Sequence, residues 1–137
     1  MRYLLDTNIC VFFLRGKFDI DKYIDNVGWN NCYISEITAL ELKYGVELSL
    51  QKDGIDRGPQ LNLFLDTINI LPIADAIDIA AKEKIRLRLA GTPADDDFDL
   101  LIGSTSIAHN MIMVTDNIKD FKNFKDIQLE NWIKRDN

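Results

Sequence analysis

Short apolar runs alternate with longer amphipathic stretches along the chain. Residues 3–5 and 32–34 are apolar and lead directly into residues that favour helix caps, which predicts strand-then-helix units. Short strands alternating with helices are typical of a parallel sheet with helices on both faces. Without repeats or linkers, residues 1–137 are expected to form a single domain. The full pattern predicts helices over 9–14, 21–27, 36–50, 60–67, 74–89 and 98–110, with further strands over 68–71, 111–115 and 127–129.

The third predicted helix carries an acidic residue where an apolar one is expected. Its apolar positions recur at spacings of three and four and predict one buried face: Ile37, Leu40, Tyr44 and Leu48. Glu41 lies on that face. A carboxylate buried there must be protonated, paired or bound to a cation, because bare burial costs at least several kcal/mol. The alternatives for Glu41 are that the phase of the helix is misjudged or that its carboxylate pairs with an arginine.

Other carboxylates fall where strands end or helices begin. Asp6 directly follows the first strand, Asp116 follows the strand predicted over 111–115, and Asp99 lies in the first turn of a helix. Ligands of open parallel sheets bind outside the carboxyl ends of the strands, so these side chains are expected at one edge. Each also has a structural explanation as a helix cap, a partner of the helix dipole or a turn residue.

The residue composition limits the kinds of binding and metal sites that the chain can form. The chain has 22 Asp and Glu, 16 Lys and Arg and a net charge of −6, which argues against nucleic-acid binding by general attraction. The single histidine, His109, excludes multi-histidine zinc sites and is expected to be partly buried or to cap a helix. Carboxylates without clustered His or Cys match the hard cations Mg²⁺ and Mn²⁺.

The N-terminal apolar run and the cysteines indicate the cellular compartment in which the protein is expected. The run is too short for a signal peptide or a membrane span, which predicts a cytoplasmic protein with no membrane association. Cys10 and Cys32 are expected to be reduced core residues. Neither phosphate-cradling glycine motif, GxxxxGK[ST] or GxGxxG, is present.

Four segments resemble PIN-domain proteins, and among them the VapC-like ribonuclease toxins of bacterial toxin–antitoxin modules. They are LLDTN (4–8), ISEITALELKYG (34–45), DFDLLIGSTSIA (97–108) and VTDNIKDF (114–121), spread in order over almost the whole chain. The resemblance implies an α/β fold, a PIN-like three-layer α/β/α sandwich with a central, mainly parallel sheet of four to five strands. It also implies an acidic metal site.

Carried over by motif, the family's acidic residues fall on Asp6, Glu41 and Asp99. The fourth is either Asp120, the acidic residue of the TxNxxD/EF motif, or Asp116, which is preferred because it directly ends a strand. The resemblance further implies hydroxyl or amide support for the site from Thr7, Ser35, Thr115 and Asn117.

The resemblance implies a metal-dependent endoribonuclease. Mg²⁺ or Mn²⁺ would lower the pKa of a bound water and align it for attack on an RNA phosphodiester. It also implies a cognate antitoxin protein as partner and a homodimer. The basic segment Lys82, Lys84, Arg86 and Arg88 is interpreted as a solvated helix surface, with RNA backbone contact as the alternative.

Competing functions remain open at this point. A catalytically idle PIN-fold module for RNA binding or assembly would keep the fold but bind Mn²⁺ poorly. A phospho-receiver domain is disfavoured, because only Asp6 follows the first strand and no lysine follows Val114-Thr115. The same metal site would also suit a DNA nuclease.

Overall fold

A computed structural model describes residues 1–135, so the last two residues of the predicted domain, 136 and 137, lie outside the described residues. Its sheet has five strands in the order β3-β2-β1-β4-β5, and every neighbouring pair is parallel. The predicted parallel α/β fold is confirmed. The strands are β1 Tyr3–Leu5, β2 Cys32–Ser35, β3 Asn69–Leu71, β4 Ile112–Val114 and β5 Gln128–Glu130.

The helices follow the strands as predicted, with small differences at their ends. The helix after Ser35 continues to Asp53, where Gly54 ends it in the left-handed conformation at φ 71°. The first residues of the segment predicted over 74–89 form a 3₁₀ turn, Ala74–Ala76. The α-helices are α1 Thr7–Leu14, α2 Ile20–Val27, α3 Glu36–Asp53, α4 Gly58–Thr67, α5 Ile77–Leu89, α6 Asp97–Ala108 and α7 Ile118–Phe121.

Neighbouring residues of β1 face opposite sides of the sheet and belong to different cores. Leu5 packs with residues of α1, α2 and α4, whereas Leu4 packs with residues of α5, α6 and α7. Helices therefore cover both faces, as in the predicted sandwich. Cys10 and Cys32 are free thiols buried in the first of these cores.

The predicted buried face of α3 is confirmed at Ile37 and is wrong for the rest of the helix. Leu40, Tyr44 and Leu48 are 52%, 64% and 38% exposed, whereas Thr38 and Leu42 are buried. The apolar spacing identified a stripe on α3, but the buried side is set by packing against α1 and α4. None of the helices in the described part of the chain is long and apolar enough to cross a membrane.

Candidate metal centre at the carboxyl edge of the sheet

Asp6 is held rigidly where β1 passes into α1. It is only 5% exposed, and its Oδ1 accepts a hydrogen bond of 2.8 Å from the backbone N–H of Thr7, which makes it the N-cap of α1. Its Oδ2 accepts a 2.8 Å hydrogen bond from the hydroxyl of Thr115. Both oxygens are therefore oriented by neighbours that donate protons, which favours a carboxylate anion.

Glu41 lies beside Asp6 although α3 follows a different strand. Its Oε1 accepts a 2.7 Å hydrogen bond from the hydroxyl of Thr7, the residue after Asp6. The hydroxyls of Thr7 and Thr38 are 3.1 Å apart, which links α1 to the turn of α3 that precedes Glu41. The structure thus brings Asp6 and Glu41 together through Thr7, and Thr38 is a contact that the sequence analysis missed.

Asp99 joins this group from the first turn of α6. Desolvation by burial, followed by repulsion from Asp96 and then from Asp6, Asp120 and Glu41, raises its pKa to about 7. The pKa of Asp6 is also raised, chiefly by desolvation, with smaller contributions from Glu41 and Asp120 and with its hydrogen bonds acting in the opposite direction. These carboxylates therefore share one electrostatic environment.

The two candidates for the fourth carboxylate have different surroundings. Asp116 makes a two-pronged ion pair with Arg135, at 2.8 and 2.7 Å, and accepts a 3.2 Å hydrogen bond from Asn131. The bond from Arg135 lowers the pKa of Asp116. Asp120, on α7, instead raises the pKa values of Asp6 and Asp99. The two candidates therefore differ in their surroundings: both oxygens of Asp116 accept hydrogen bonds from Arg135, whereas Asp120 repels the charges of Asp6 and Asp99.

The remaining predicted support residues, Ser35 and Asn117, make hydrogen bonds that involve backbone N–H groups. The hydroxyl of Ser35 accepts a 3.1 Å hydrogen bond from the N–H of Ile37 and so caps α3, the helix that carries Glu41. Asn117 donates its backbone N–H to the hydroxyl of Thr115 at 3.0 Å. Thr115 is thereby held between Asn117 and Asp6.

The donor set suits a divalent cation. Asp6, Glu41, Asp99 and Asp120 are all carboxylates, and no ion pair links any of them to Lys or Arg within residues 1–135. In the same range no group of three or more Asp, Glu, His or Cys side chains is arranged closely enough to coordinate a metal ion as it stands. The donor chemistry, which consists of carboxylate oxygens, is of the kind that the hard cations Mg²⁺ and Mn²⁺ prefer.

The acidic centre opens into two depressions. The first, of about 490 Å³, is here called the acidic cleft; it contains Asp99 and Asp120 and is walled by Asp95, Asp96 and Pro93. The second, of about 570 Å³, is called the α1–α3 groove, because most of its lining comes from α1 and α3, with a smaller part from the start of α4 and the segment before it. Glu41 lines this groove. A substrate reaching the carboxylates can therefore use either depression.

Two further predictions concern residues outside the centre. His109 is partly buried and caps the end of α6, as predicted, with its Nε2 3.5 Å from a carboxylate oxygen of Asp75. In the basic segment of α5, Lys84 pairs with Asp97 at 2.8 Å and Arg86 pairs with Glu83 at 2.7 Å. Ion pairing supports the interpretation of this segment as a helix surface.

Fold and site together define a parallel α/β sandwich with an acidic centre at the carboxyl edge of its sheet. The model of the PIN domain family matches residues 3–127, and the chain belongs to that family. It is 36% identical over 139 residues to Ribonuclease VapC2 of Rickettsia felis, across 98% of this chain and 100% of that protein. It is 30% identical to the tRNA(fMet)-specific endonuclease VapC of Salmonella typhimurium, across 96% and 98%.

A solved structure is similar throughout its length. The crystal structure of VapBC2 from Rickettsia felis, bound to a DNA fragment from the promoter, matches with a TM-score of 0.86 and 34% identity. The match covers 96% of this chain and 99% of that one. The resemblance seen in the sequence motifs is confirmed.

Proposed function

We propose that this protein is an endoribonuclease that acts as the toxin of a toxin–antitoxin pair. The observation that carries the proposal is a group of four carboxylates at one edge of the sheet, Asp6, Glu41, Asp99 and Asp120. Glu41 lies beside Asp6 through the hydroxyl of Thr7, and desolvation by burial together with repulsion within the group raises the pKa values of Asp6 and Asp99. The names of the relatives support RNA as the substrate, since these proteins are called ribonucleases or an endonuclease specific for a transfer RNA. The similar solved structures are of VapBC assemblies, which supports an antitoxin partner.

The proposal includes a divalent cation, Mg²⁺ or Mn²⁺. Asp6, Glu41, Asp99 and Asp120 would hold it, and when bound it would supply an activated water and neutralise charge on the phosphate. The part played by the protein is positioning. Thr115 and the backbone N–H of Thr7 fix the two oxygens of Asp6, and the Thr7 hydroxyl fixes Glu41.

Asp116 is proposed to have a structural part. Its pair with Arg135 attaches the C-terminal segment to the turn that carries Thr115 and Asn117. We place Asp120 in the metal centre because it contributes to the electrostatic environment of both Asp6 and Asp99.

Action in the cytoplasm and a homodimer belong to the same proposal. Exposed apolar side chains on α3 and α5, among them Tyr44, Ile85 and Leu89, are candidates for the dimer contact. The mass of the purified protein, measured by light scattering during size-exclusion chromatography, tests the dimer. A monomer at all concentrations would contradict it.

Cleavage assays test the activity. Wild-type protein freed of its antitoxin is incubated with RNA and with DNA of matching sequence, in Mg²⁺, in Mn²⁺ and in EDTA. We expect cleavage of RNA that EDTA abolishes and that Asp6→Asn lacks, and growth arrest on expression of the wild type but not of Asp6→Asn. Cleavage of DNA alone would indicate a DNA nuclease. RNA binding without cleavage in either metal would instead indicate an idle RNA-binding module.

A further inference from the structure

The α1–α3 groove adjoins the acidic centre at Glu41. Glu41 lies in the groove, and apolar side chains of α1, α3 and α4 form much of the remaining lining, namely Val11, Leu14, Leu42, Val46 and Leu61. A chain bound along this groove would therefore pass directly over one of the carboxylates of the centre.

Cations line the groove in a protein of net charge −6. Arg15, Lys17 and Arg57 all belong to its lining. Arg57 lies 3.4 Å from Asp53, which offsets its charge. Arg15 and Lys17 are exposed, and no acidic group lies within salt-bridge distance of either one among residues 1–135. Two cations without acidic partners thus lie next to a centre that is proposed to act on a phosphodiester.

The acidic cleft has the opposite character. Besides Asp99 and Asp120 it contains Asp95 and Asp96, and Lys119 is the cation that its lining provides. Asp95 and Asp96 add acidic side chains to the wall of the cleft, which is unfavourable for phosphate groups. A polyanion approaching the centre is therefore repelled on the side of the cleft and attracted on the side of the groove.

We propose that the α1–α3 groove holds the RNA strand on one side of the scissile phosphate, with Arg15 and Lys17 contacting backbone phosphates. The inference rests on the proposed function and adds the path of the substrate. Among residues 1–135 no aromatic side chain lines the groove, so bases would not be bound there by stacking. The contacts would act on the backbone without reading the sequence. Selectivity for a particular RNA then arises elsewhere on the surface.

RNA binding to a variant that cannot cleave tests the proposed path of the RNA strand. In the Asp6→Asn background, Arg15→Ala/Lys17→Ala is compared with Lys82→Ala/Arg88→Ala, which removes one lysine and one arginine from the exposed surface of α5. The probes are a fluorescein-labelled single-stranded RNA of mixed sequence and bulk transfer RNA, followed by anisotropy over a range of salt concentrations. Antitoxin binding is measured in parallel.

We expect the groove variant to bind RNA roughly tenfold or more weakly and to lose about 1.4 from the slope of log affinity against log salt, since each phosphate contact on a single strand contributes about 0.7. The α5 variant should stay within about twofold of the parent. Arg15→Lys/Lys17→Arg, which preserves the charges, should restore most of the affinity. In the cleavage-competent protein the loss should appear in KM and leave kcat nearly unchanged.

Arg15 also lies at the C-terminal end of α1, where a cation is favourable, so thermal unfolding of each variant is checked. If the double variant does not fold, Lys17→Ala alone should lower the slope by about 0.7. Unchanged affinity and slope in the groove variant, or a loss confined to the α5 variant, would overturn the proposal. So would a loss of antitoxin binding with RNA binding intact, which would make the groove a protein-docking surface.

Failure of this proposal is distinguishable from failure of the proposed function. If the wild-type protein and the groove variant both cleave RNA with the same KM, only the proposed path of the RNA strand is refuted. A wild-type protein that neither binds nor cleaves RNA in Mg²⁺ or Mn²⁺ refutes the function itself.

Discussion

The hydroxyl of Thr115 donates a 2.8 Å hydrogen bond to Oδ2 of Asp6, across 109 positions of sequence. The contact follows from the parallel pairing of β1 with β4, in which Leu5 is the register partner of Val114. The residues after these partners therefore leave adjacent strands side by side at the same edge. The orientation of the most buried carboxylate of the centre is thus fixed by the strand register.

Thr115→Val should reduce RNA cleavage by about tenfold or more, because one oxygen of Asp6 loses the donor that orients it. A hydrogen bond to a charged group contributes about 1.5–3 kcal/mol, so the free energy of unfolding should also fall by an amount of that order. Single-turnover cleavage and thermal unfolding measure the two effects. Thr115→Ser, which keeps the hydroxyl, should retain most of the activity.

The control for this variant is Thr67→Val, since Thr67 is exposed and its hydroxyl donates a hydrogen bond to the carbonyl of Leu63 in its own helix. Its activity should equal that of the wild type. If Thr115→Val cleaves RNA as fast as this control, Asp6 does not need the bond from Thr115.

Asp116→Asn and Asp120→Asn should separate the two candidates for the fourth acidic residue. Asp120→Asn removes a charge that faces Asp6 and Asp99, so we expect cleavage to fall by roughly a hundredfold and the affinity for Mn²⁺ to weaken. Asp116→Asn weakens the pair with Arg135, which is partly exposed, and should cost no more than about 1 kcal/mol of stability. Its cleavage rate should stay within a few-fold of the wild type.

Cleavage assays with a Mn²⁺ titration check both variants under the same conditions. Arg135→Ala provides a second control, because it removes the same ion pair from its other side. Severe loss of activity in Asp116→Asn, with Asp120→Asn nearly intact, would reverse the assignment.

Asp6, Asp99 and Asp116 illustrate how much of the site can be predicted from the sequence alone. The placement of Asp6 and Asp99 can be predicted because the ends of parallel strands and the first turns of helices converge on one edge, a rule that needs no side-chain coordinates. Asp116 meets the same rule, but its partner Arg135 comes from the C-terminal segment and contacts it only in the folded chain. No local pattern marks that pairing.

Glu41 was singled out by an argument that the structure corrects. The predicted apolar stripe of Leu40 and Tyr44 is exposed, so Glu41 does not lie on a buried face of that kind. It reaches the centre because α3 packs against α1 and brings Glu41 next to Thr7. The spacing of apolar residues cannot distinguish a face that covers the core from one that is exposed on the isolated chain.

Gly103 sets the distance between the helices that carry Asp99 and Asp120. A Cβ atom at this position would lie 2.8 Å from Cε2 of Phe124 and 3.2 Å from Cδ1 of Phe121. Gly103→Ala should therefore push α6 away from α7, lowering stability by about 1–3 kcal/mol and reducing the cleavage rate. Chemical denaturation and single-turnover cleavage measure the two effects.

Gly45→Ala is the matched control, since a Cβ added there on α3 meets no atom within 4 Å. It should be neutral or stabilising, by up to about 1 kcal/mol, because alanine favours the helix. Equal stability of Gly103→Ala and the wild type would show that the aromatic rings move aside easily and do not set the helix spacing.

The raised pKa values of Asp99 and Asp6 predict the pH dependence of stability without metal. The unfolded chain titrates Asp99 near its ordinary value of 3.8, whereas in the folded protein its pKa is about 7, so the folded state binds more protons between these values. Stability in EDTA should therefore fall as the pH rises from about 4 to 7 and should level off above that. Thermal unfolding across this range measures it. Below pH 4 stability should fall again, because Glu83 and Asp116 have lowered pKa values in the folded protein.

Asp99→Asn should raise the melting temperature at pH 8 and flatten the profile between pH 4 and 7, because the amide carries no charge to repel Asp6. Asp25→Asn, an exposed change on α2, is the control and should keep the wild-type profile. Mn²⁺ should stabilise the wild type most at high pH, where its proposed ligands are deprotonated, and should do little for Asp99→Asn. A wild-type profile that rises between pH 4 and 7 in EDTA would mean that the carboxylates do not repel one another in the folded protein, and the case for a shared cation would lose its electrostatic basis.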